Sequence, residues 1–474
     1  MNIRSRSTFI DRKSACLLTT MLCIVSALLT GCNEEKKPID IKRPNKDPFP
    51  STYEAKSHPQ WAVINATVLT GTGERLESAS ILVKDGKITA VGNQLDIPAG
   101  TQTIDAQGKW LTPGLIDVHS HMGVYSAPDT VNNADGNEMT EPVTAQVWAE
   151  HSIWPQDPQF EKSIAGGITT LQILPGSGNL IGGRGVTVKN VPSVTVQGMK
   201  FPHAPYSLKM ACGENPKTVY GSRTQAPSTR MGNMAGFRSA WIDAQEYKLQ
   251  WDDYIAKANN GDADAKPPKR DLKLETLQGV LEGEIRIHNH CYRADEMAQM
   301  IDMSHEFGYR ITAFHHAVEA YKLAPKLAQE GICGVVWADW WGFKQEAADM
   351  VRQNLALLED AGACAIIHSD DPIEVQHLNQ EISKAMTAGN KLGLNITREK
   401  AIQWATLNPA KSLGLDKLIG SIEAGKNADI VLWDGDPFSV YTHAEQVWID
   451  GVQHYDLHNP KLRPTSDFNL GLQP

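Results

Sequence analysis

The stretch Pro113-Gly114-Leu115-Ile116-Asp117-Val118-His119-Ser120-His121 decides how the rest of the chain is read. A short apolar run leads into two histidines two positions apart. Side chains alternate faces along a β-strand, so His119 and His121 point the same way. Two imidazoles at one strand end can hold one metal ion, and imidazole suits zinc, iron or nickel. A bare H-x-H pair is weak evidence and is more often two ordinary surface or core histidines, so the remainder of the chain has to decide.

The chain has 474 residues and a formal net charge of -10. That length supports a large core and two structural units. The charge argues against nucleic acid or an anionic membrane surface as a partner. Arg4, Arg6, Arg12 and Lys13 precede an apolar run from Ala15 to Leu29 that is short for a membrane span. The run ends in Leu29-Thr30-Gly31-Cys32, which resembles the lipobox of bacterial lipoproteins. The resemblance implies that residues 1–31 are a signal peptide and that Cys32 carries lipid. With Asn33 next, it implies the outer membrane of the cell envelope, facing the periplasm. Residues 32–57 are rich in Lys, Glu and Pro and read as a flexible tether. Cys212, Cys291, Cys333 and Cys364 lie far apart, in or beside apolar runs, and are expected as buried free thiols.

Residues 58–112 read as short strands with turns between them, Asp85-Gly86-Lys87 favouring a hairpin. From residue 113 to 415 short apolar runs alternate with helical periodicity, the pattern of β/α units around a parallel sheet. Candidate strands are Leu115–Val118, Thr169–Leu174, Ser207–Cys212, Ile285–His288, Arg310–Phe314, Gly334–Trp337 and Ala363–Ile367, with Val186–Lys189 as an eighth. Helices are expected at Asp295–Phe307, Ala317–Glu330 and Gln345–Ala361, and a solvated loop at Asn259–Pro268. Residues 416–474 return to β character, so one small sheet domain can be assembled from both ends.

Polar residues gather at the ends of these candidate strands. His119 and His121 close the first, His290 and His316 follow two later ones, and Asp370 follows the last. In a β/α barrel such ends share one face, where catalytic residues collect. The order H-x-H, His, His, Asp resembles the amidohydrolase superfamily of metal-dependent hydrolases. Pro113–His121, Asn408–Leu415 and Gly420–Val431 resemble further segments of that superfamily. The resemblance implies an α/β fold, a (β/α)8 TIM-like barrel beside a small composite β-sandwich. It implies one or two divalent ions, zinc by preference. The segments His290–Arg293 and His316–Lys322 resemble the branch of imidazolonepropionase-like proteins and metal-dependent dipeptidases.

By that similarity His290 and His316 are ligands, while His288 and His315 pack or support. A second ion needs a bridging anion, which family members supply as a carboxylated lysine or a glutamate. Lys209 and Glu214 are the two candidates, and strand position favours Glu214. Asp370 is expected both to bind metal and to act as general base on activated water. Asp117 either orients a ligand or pairs with a neighbour; Asp371 is expected to be structural. Deaminases of the superfamily carry a glutamate where Arg293 stands, which argues against deamination. Arg293 is expected to bind a substrate carboxylate or to pair with Asp295 or Glu296. Tyr321 and Arg184 are further candidates for substrate contact, Arg184 within a Gly-rich loop expected to cover the substrate. The implied reaction is hydrolysis of a C–N bond in a small molecule or dipeptide-like substrate. Opening of a cyclic amide, or a non-catalytic metal- or ligand-binding lipoprotein, are the alternatives. The sequence leaves self-association open.

Overall fold

The computed structural model describes residues 41, 44 and 46–462. The leader 1–31, Cys32, most of the tether and residues 463–474 lie outside the described residues. Of the described residues, those from 44 to 249 and from 269 to 462 form one compact unit, and residues 250–268 belong to another. In the latter, the end of the helix Arg230–Asn259 carries Trp251 and Tyr254, whose rings meet edge to face at 5.7 Å. The polar run after it is turns and irregular backbone.

The large unit is built on sixteen strands. They are β1 (Trp61–Leu69), β2 (Arg75–Lys84), β3 (Lys87–Gly92), β4 (Gln102–Asp105) and β5 (Trp110–Pro113); then β6 (Leu115–Ser120), β7 (Ile168–Ile173), β8 (Ile181–Lys189) and β9 (Ser207–Ala211); then β10 (Arg286–Cys291), β11 (Ile311–His316), β12 (Cys333–Val336) and β13 (Cys364–Ile367); and last β14 (Ile430–Trp433), β15 (Ala444–Ile449) and β16 (Val452–Asp456). β1–β5 and β14–β16 pair into one eight-stranded sheet in which β5 lies between β1 and β14. Both chain ends therefore contribute to a single sheet.

β6 to β13 form the second eight-stranded sheet, in sequence order. β6 is buried at every position, as a strand covered on both faces must be. Gly114 precedes it because a Cβ there would lie 2.2 Å from Thr169 Oγ1 on the neighbouring strand. The two edge strands meet at one end. Asp370 N–H donates to His119 O (3.1 Å), and Ser369 Oγ–H donates to Asp117 Oδ2 (2.5 Å). The sheet thus nearly closes into a barrel.

Four features depart from expectation. β8 pairs antiparallel with both β7 and β9, so the barrel is not uniformly parallel. The helix expected over Gln345–Ala361 is a short 3-10 turn at Gln345–Ala347 and a helix at Asn354–Asp360. Glu346, on that turn, accepts from the Glu214 N–H and pairs with Arg230, which holds the segment against the barrel mouth. The four cysteines are not free thiols. Cys212–Cys291 and Cys333–Cys364 are disulfides, joining residues 79 and 31 positions apart. Strand pairing brings them together, with Cys333 and Cys364 directly opposite each other. Finally, the end of the expected tether is docked. Lys200, buried, takes Asp47 at 2.8 Å, and Tyr53 donates to Asp450 at 2.6 Å. A buried ammonium needs such partners.

A buried ion triad fastens the small sheet to the barrel. Lys189 at the end of β8 lies 2.9 Å from Asp450 and 3.5 Å from Asp429, all three nearly inaccessible to solvent.

Candidate metal centre

The last residues of β6, β10, β11 and the turn after β13 bring their polar side chains to one end of the barrel. Asp370 Oδ1 lies 3.2 Å from His121 Nε2 and 3.4 Å from His119 Nε2. His316 Nδ1 is 3.9 Å from the other carboxylate oxygen. Donor atoms of His119, His121 and Asp370 lie within 4.8 Å of one another, as do those of His119, His316 and His368. His290 packs on His316 with ring centroids 4.4 Å apart. The backbone is strained at two of the candidate donors: φ is 66° at His316 and 58° at Asp370.

Hydrogen bonds set which nitrogen is free. His121 Nδ1 donates to Leu174 O at 2.8 Å, which turns Nε2 toward the Asp370 carboxylate. His119 Nδ1 pairs with His315 Nδ1 at 2.9 Å, and His315 Nε2 with His288 Nδ1 at 2.8 Å. His288 and His315 are thus supports behind His119. Burial, then the positive Lys209, holds His119 well below the usual histidine range, and burial does the same to His290, His315 and His316. All are neutral, the form that binds a cation.

Burial alone would raise the Asp370 carboxyl. The His121 hydrogen bond, with the charges of His121, His368 and Lys209, outweighs it and keeps Asp370 below the usual carboxylate range.

These residues fit a divalent metal. Both ring nitrogens of His290 and of His368, and Nδ1 of His316, are buried with no hydrogen-bond partner. Leaving so many polar atoms unpaired is costly unless something binds them. Two or three imidazoles with a carboxylate suit a transition metal rather than calcium or magnesium.

Lys209, not Glu214, stands inside this group. Its Nζ is 3.1 Å from His119 Nε2, and burial pushes its ammonium down to about 8. Glu214 opens the helix Glu214–Gly221, faces Lys344 at 3.6 Å, and belongs to neither donor cluster. Asp117 is a brace: its Oδ1 accepts from His119 N–H (3.1 Å) and Ser369 N–H (3.4 Å). Asp371 accepts from Ile373 and Glu374 N–H, a purely local turn.

The expected substrate contacts fare differently. Arg184 lies on β8, buried, with Nε donating to Thr276 Oγ1 at 2.8 Å and its guanidinium 4.0 Å over the Trp148 ring. It is a packing cation and does not line the cavity at the site. Arg293 pairs bidentately with Asp295 (2.8 and 2.9 Å), the structural alternative. Tyr321 sits in the helix Ala320–Glu330, its N–H capped by Asn354. A cavity of about 640 Å³ opens on the site, walled by His121, Tyr125, Gly176, Ser177, Glu214 and Asp370. The glycines after β7 therefore do line the opening, while Arg184 faces away. His368 and Trp337 went unread in the sequence. His368 stands two before Asp370, the same same-face spacing that singled out His119 and His121.

Known proteins resemble this chain in sequence and fold. A solved amidohydrolase from Thermotoga maritima is 35% identical, with a TM-score of 0.76, covering 83% of this chain and 99% of that one. The chain belongs to the amidohydrolase family. The sequence model of that family matches residues 282–461. Amidohydrolase tasK of Hapsidospora irregularis is 35% identical over 422 residues, 84% of this chain; the chain spans 42% of that relative's length. An imidazolonepropionase of Mesorhizobium japonicum is 22% identical over 393 residues, covering 76% of this chain and 87% of that one.

Proposed function

We propose that this chain hydrolyses a C–N bond, an amide or peptide bond of a small dipeptide-like molecule. The observation that carries the reading is the Asp370 carboxylate within 3.2–3.4 Å of the His121 and His119 imidazoles, lining a cavity. His119, His121, His290, His316 and Asp370 would hold the metal, zinc by the chemistry of the donors. When bound, it supplies Lewis acidity, making water acidic near neutral pH and polarising a carbonyl. Asp370, kept ionised by its imidazole neighbours, takes the proton of the attacking water and returns it to the leaving nitrogen. Tyr125 and the glycines at 176 and 178 shape the space around the scissile group. Lys209, buried beside His119 with its ammonium lowered to about 8, would be the residue to help hold a second ion, its neutral amine taking up carbon dioxide as a carbamate.

The imidazolonepropionase relatives favour a second reading, opening of a cyclic amide. A panel of dipeptides, acylated amino acids and cyclic amides separates the two. Asp370→Asn is the test of mechanism. We expect kcat to fall about 10²–10⁴-fold with metal retained. Activity within tenfold of wild type, with metal retained, would remove Asp370 as the base, and inactivity of the wild type across the panel would favour a binding protein.

We also place the chain on a membrane through lipid at Cys32, on the strength of the Leu-Thr-Gly-Cys run. Cys32→Ser should then release it from membranes into the soluble fraction, and an unchanged membrane fraction would refute the anchor.

A further inference from the structure

A metal-binding histidine normally ties its other ring nitrogen to a carbonyl, carboxylate or similar group, which fixes the ring's orientation. His121 has this through Leu174 O, and His119 through His315. His316 ends β11 at a strained φ of 66°; its Nδ1 faces the Asp370 carboxylate at 3.9 Å, and among the described residues no hydrogen bond from either ring nitrogen holds the imidazole. What surrounds it is aromatic. Trp337 stacks on the imidazole, centroids 4.3 Å apart and planes 24° off parallel. Tyr292 lies nearly parallel and offset, at 5.2 Å and 17°.

Trp337 cannot turn freely. Its Nε1–H donates to Ser369 O at 3.0 Å, its ring stacks on Trp340 at 5.3 Å, and Trp340 in turn donates to Glu374. Trp337 follows β12, and Ser369 immediately precedes Asp370, so one indole spans from the Asp370 turn to the His316 ring.

We propose that Trp337 is a positioning residue, holding the His316 imidazole in its metal-binding orientation by stacking where a hydrogen bond does that work at His121. This rests on the reading of His316 as a ligand. Through Ser369 the same indole sets His316 and Asp370 relative to each other.

The test is metal binding by the purified full-length protein, stripped and titrated with Co²⁺ against a chromophoric chelator. Trp337→Met keeps apolar bulk and loses the flat face. It should weaken Co²⁺ binding about tenfold or more, as loss of an outer partner does, and change the visible absorption of the Co²⁺ protein. Trp337→Phe keeps a face and should restore both. A role in packing alone would lower the unfolding temperature of Trp337→Met and leave the affinity and the spectrum alone, and that result overturns the proposal. Should Trp337→Met fail to fold, Trp340→Leu removes the ring behind Trp337 at a half-buried position. It should produce a smaller weakening in the same direction, and wild-type affinity and spectrum there also overturn the proposal. A wild-type protein that binds no Co²⁺ would instead defeat the metal reading.

Discussion

Asp117 is the brace whose removal should be felt most widely. Its carboxylate, fully buried, accepts from His119 N–H at 3.1 Å, from Ser369 N–H at 3.4 Å and from Ser369 Oγ–H at 2.5 Å. These bonds join the first and last strands of the barrel directly beneath the metal centre. Asp117→Ala strands two backbone donors and one hydroxyl. Each buried donor left unpaired costs about 1–3 kcal/mol, and the long Ser369 N–H contact belongs at the low end. The Ser369 hydroxyl can turn, so it adds little. The sum is about 2–4 kcal/mol, a large share of the 5–15 kcal/mol typical of a folded domain. Asp117→Asn keeps one oxygen for the two N–H groups, and its amide can donate to a turned Ser369 hydroxyl; its expected cost is about 1 kcal/mol. Urea unfolding of the wild type and both variants at one pH measures these directly. Asp117→Ala within 1 kcal/mol of wild type, or Asp117→Asn as costly as Asp117→Ala, would show that the barrel closes without this brace.

Two further outcomes follow from charge. Burial pushes the Glu374 carboxyl up to about 7, against only partial relief from the Trp340 N–H. A raised carboxyl gives stability that is complete below about 4.5 and lost as pH rises through about 7. Glu374→Gln should flatten that slope and be more stable than wild type at pH 8 by about 1–2 kcal/mol, allowing for solvent screening. Parallel stability curves for the two proteins would refute this. Metal analysis should find less metal in Lys209→Ala and an unchanged count in Glu214→Gln; the reverse pattern would return the bridge to Glu214.

Local pattern made much of this legible. Alternation along a strand put His119 and His121 on one face, and the same spacing of two relates His368 to Asp370, a fifth imidazole of the cluster. Apolar runs alternating with helical periodicity pointed to the barrel, because a strand covered on both faces has to be continuously apolar. Arg184 misled: a glycine-rich stretch with one arginine resembles an anion loop, and only the packing of Trp148 and Thr276 around the guanidinium shows it to be held inside.

The sequence alone brought forward His119, His121, His290, His316 and Asp370 and put them at strand ends, because side-chain alternation and strand apolarity are written within a few neighbouring positions. Tertiary structure decided the rest. β8 runs against its neighbours, Cys212 meets Cys291, Lys209 rather than Glu214 reaches His119, and Trp337 lies on His316. Each of these joins residues brought together by strand pairing across the barrel, and a strand's own residues do not record its direction or its partner.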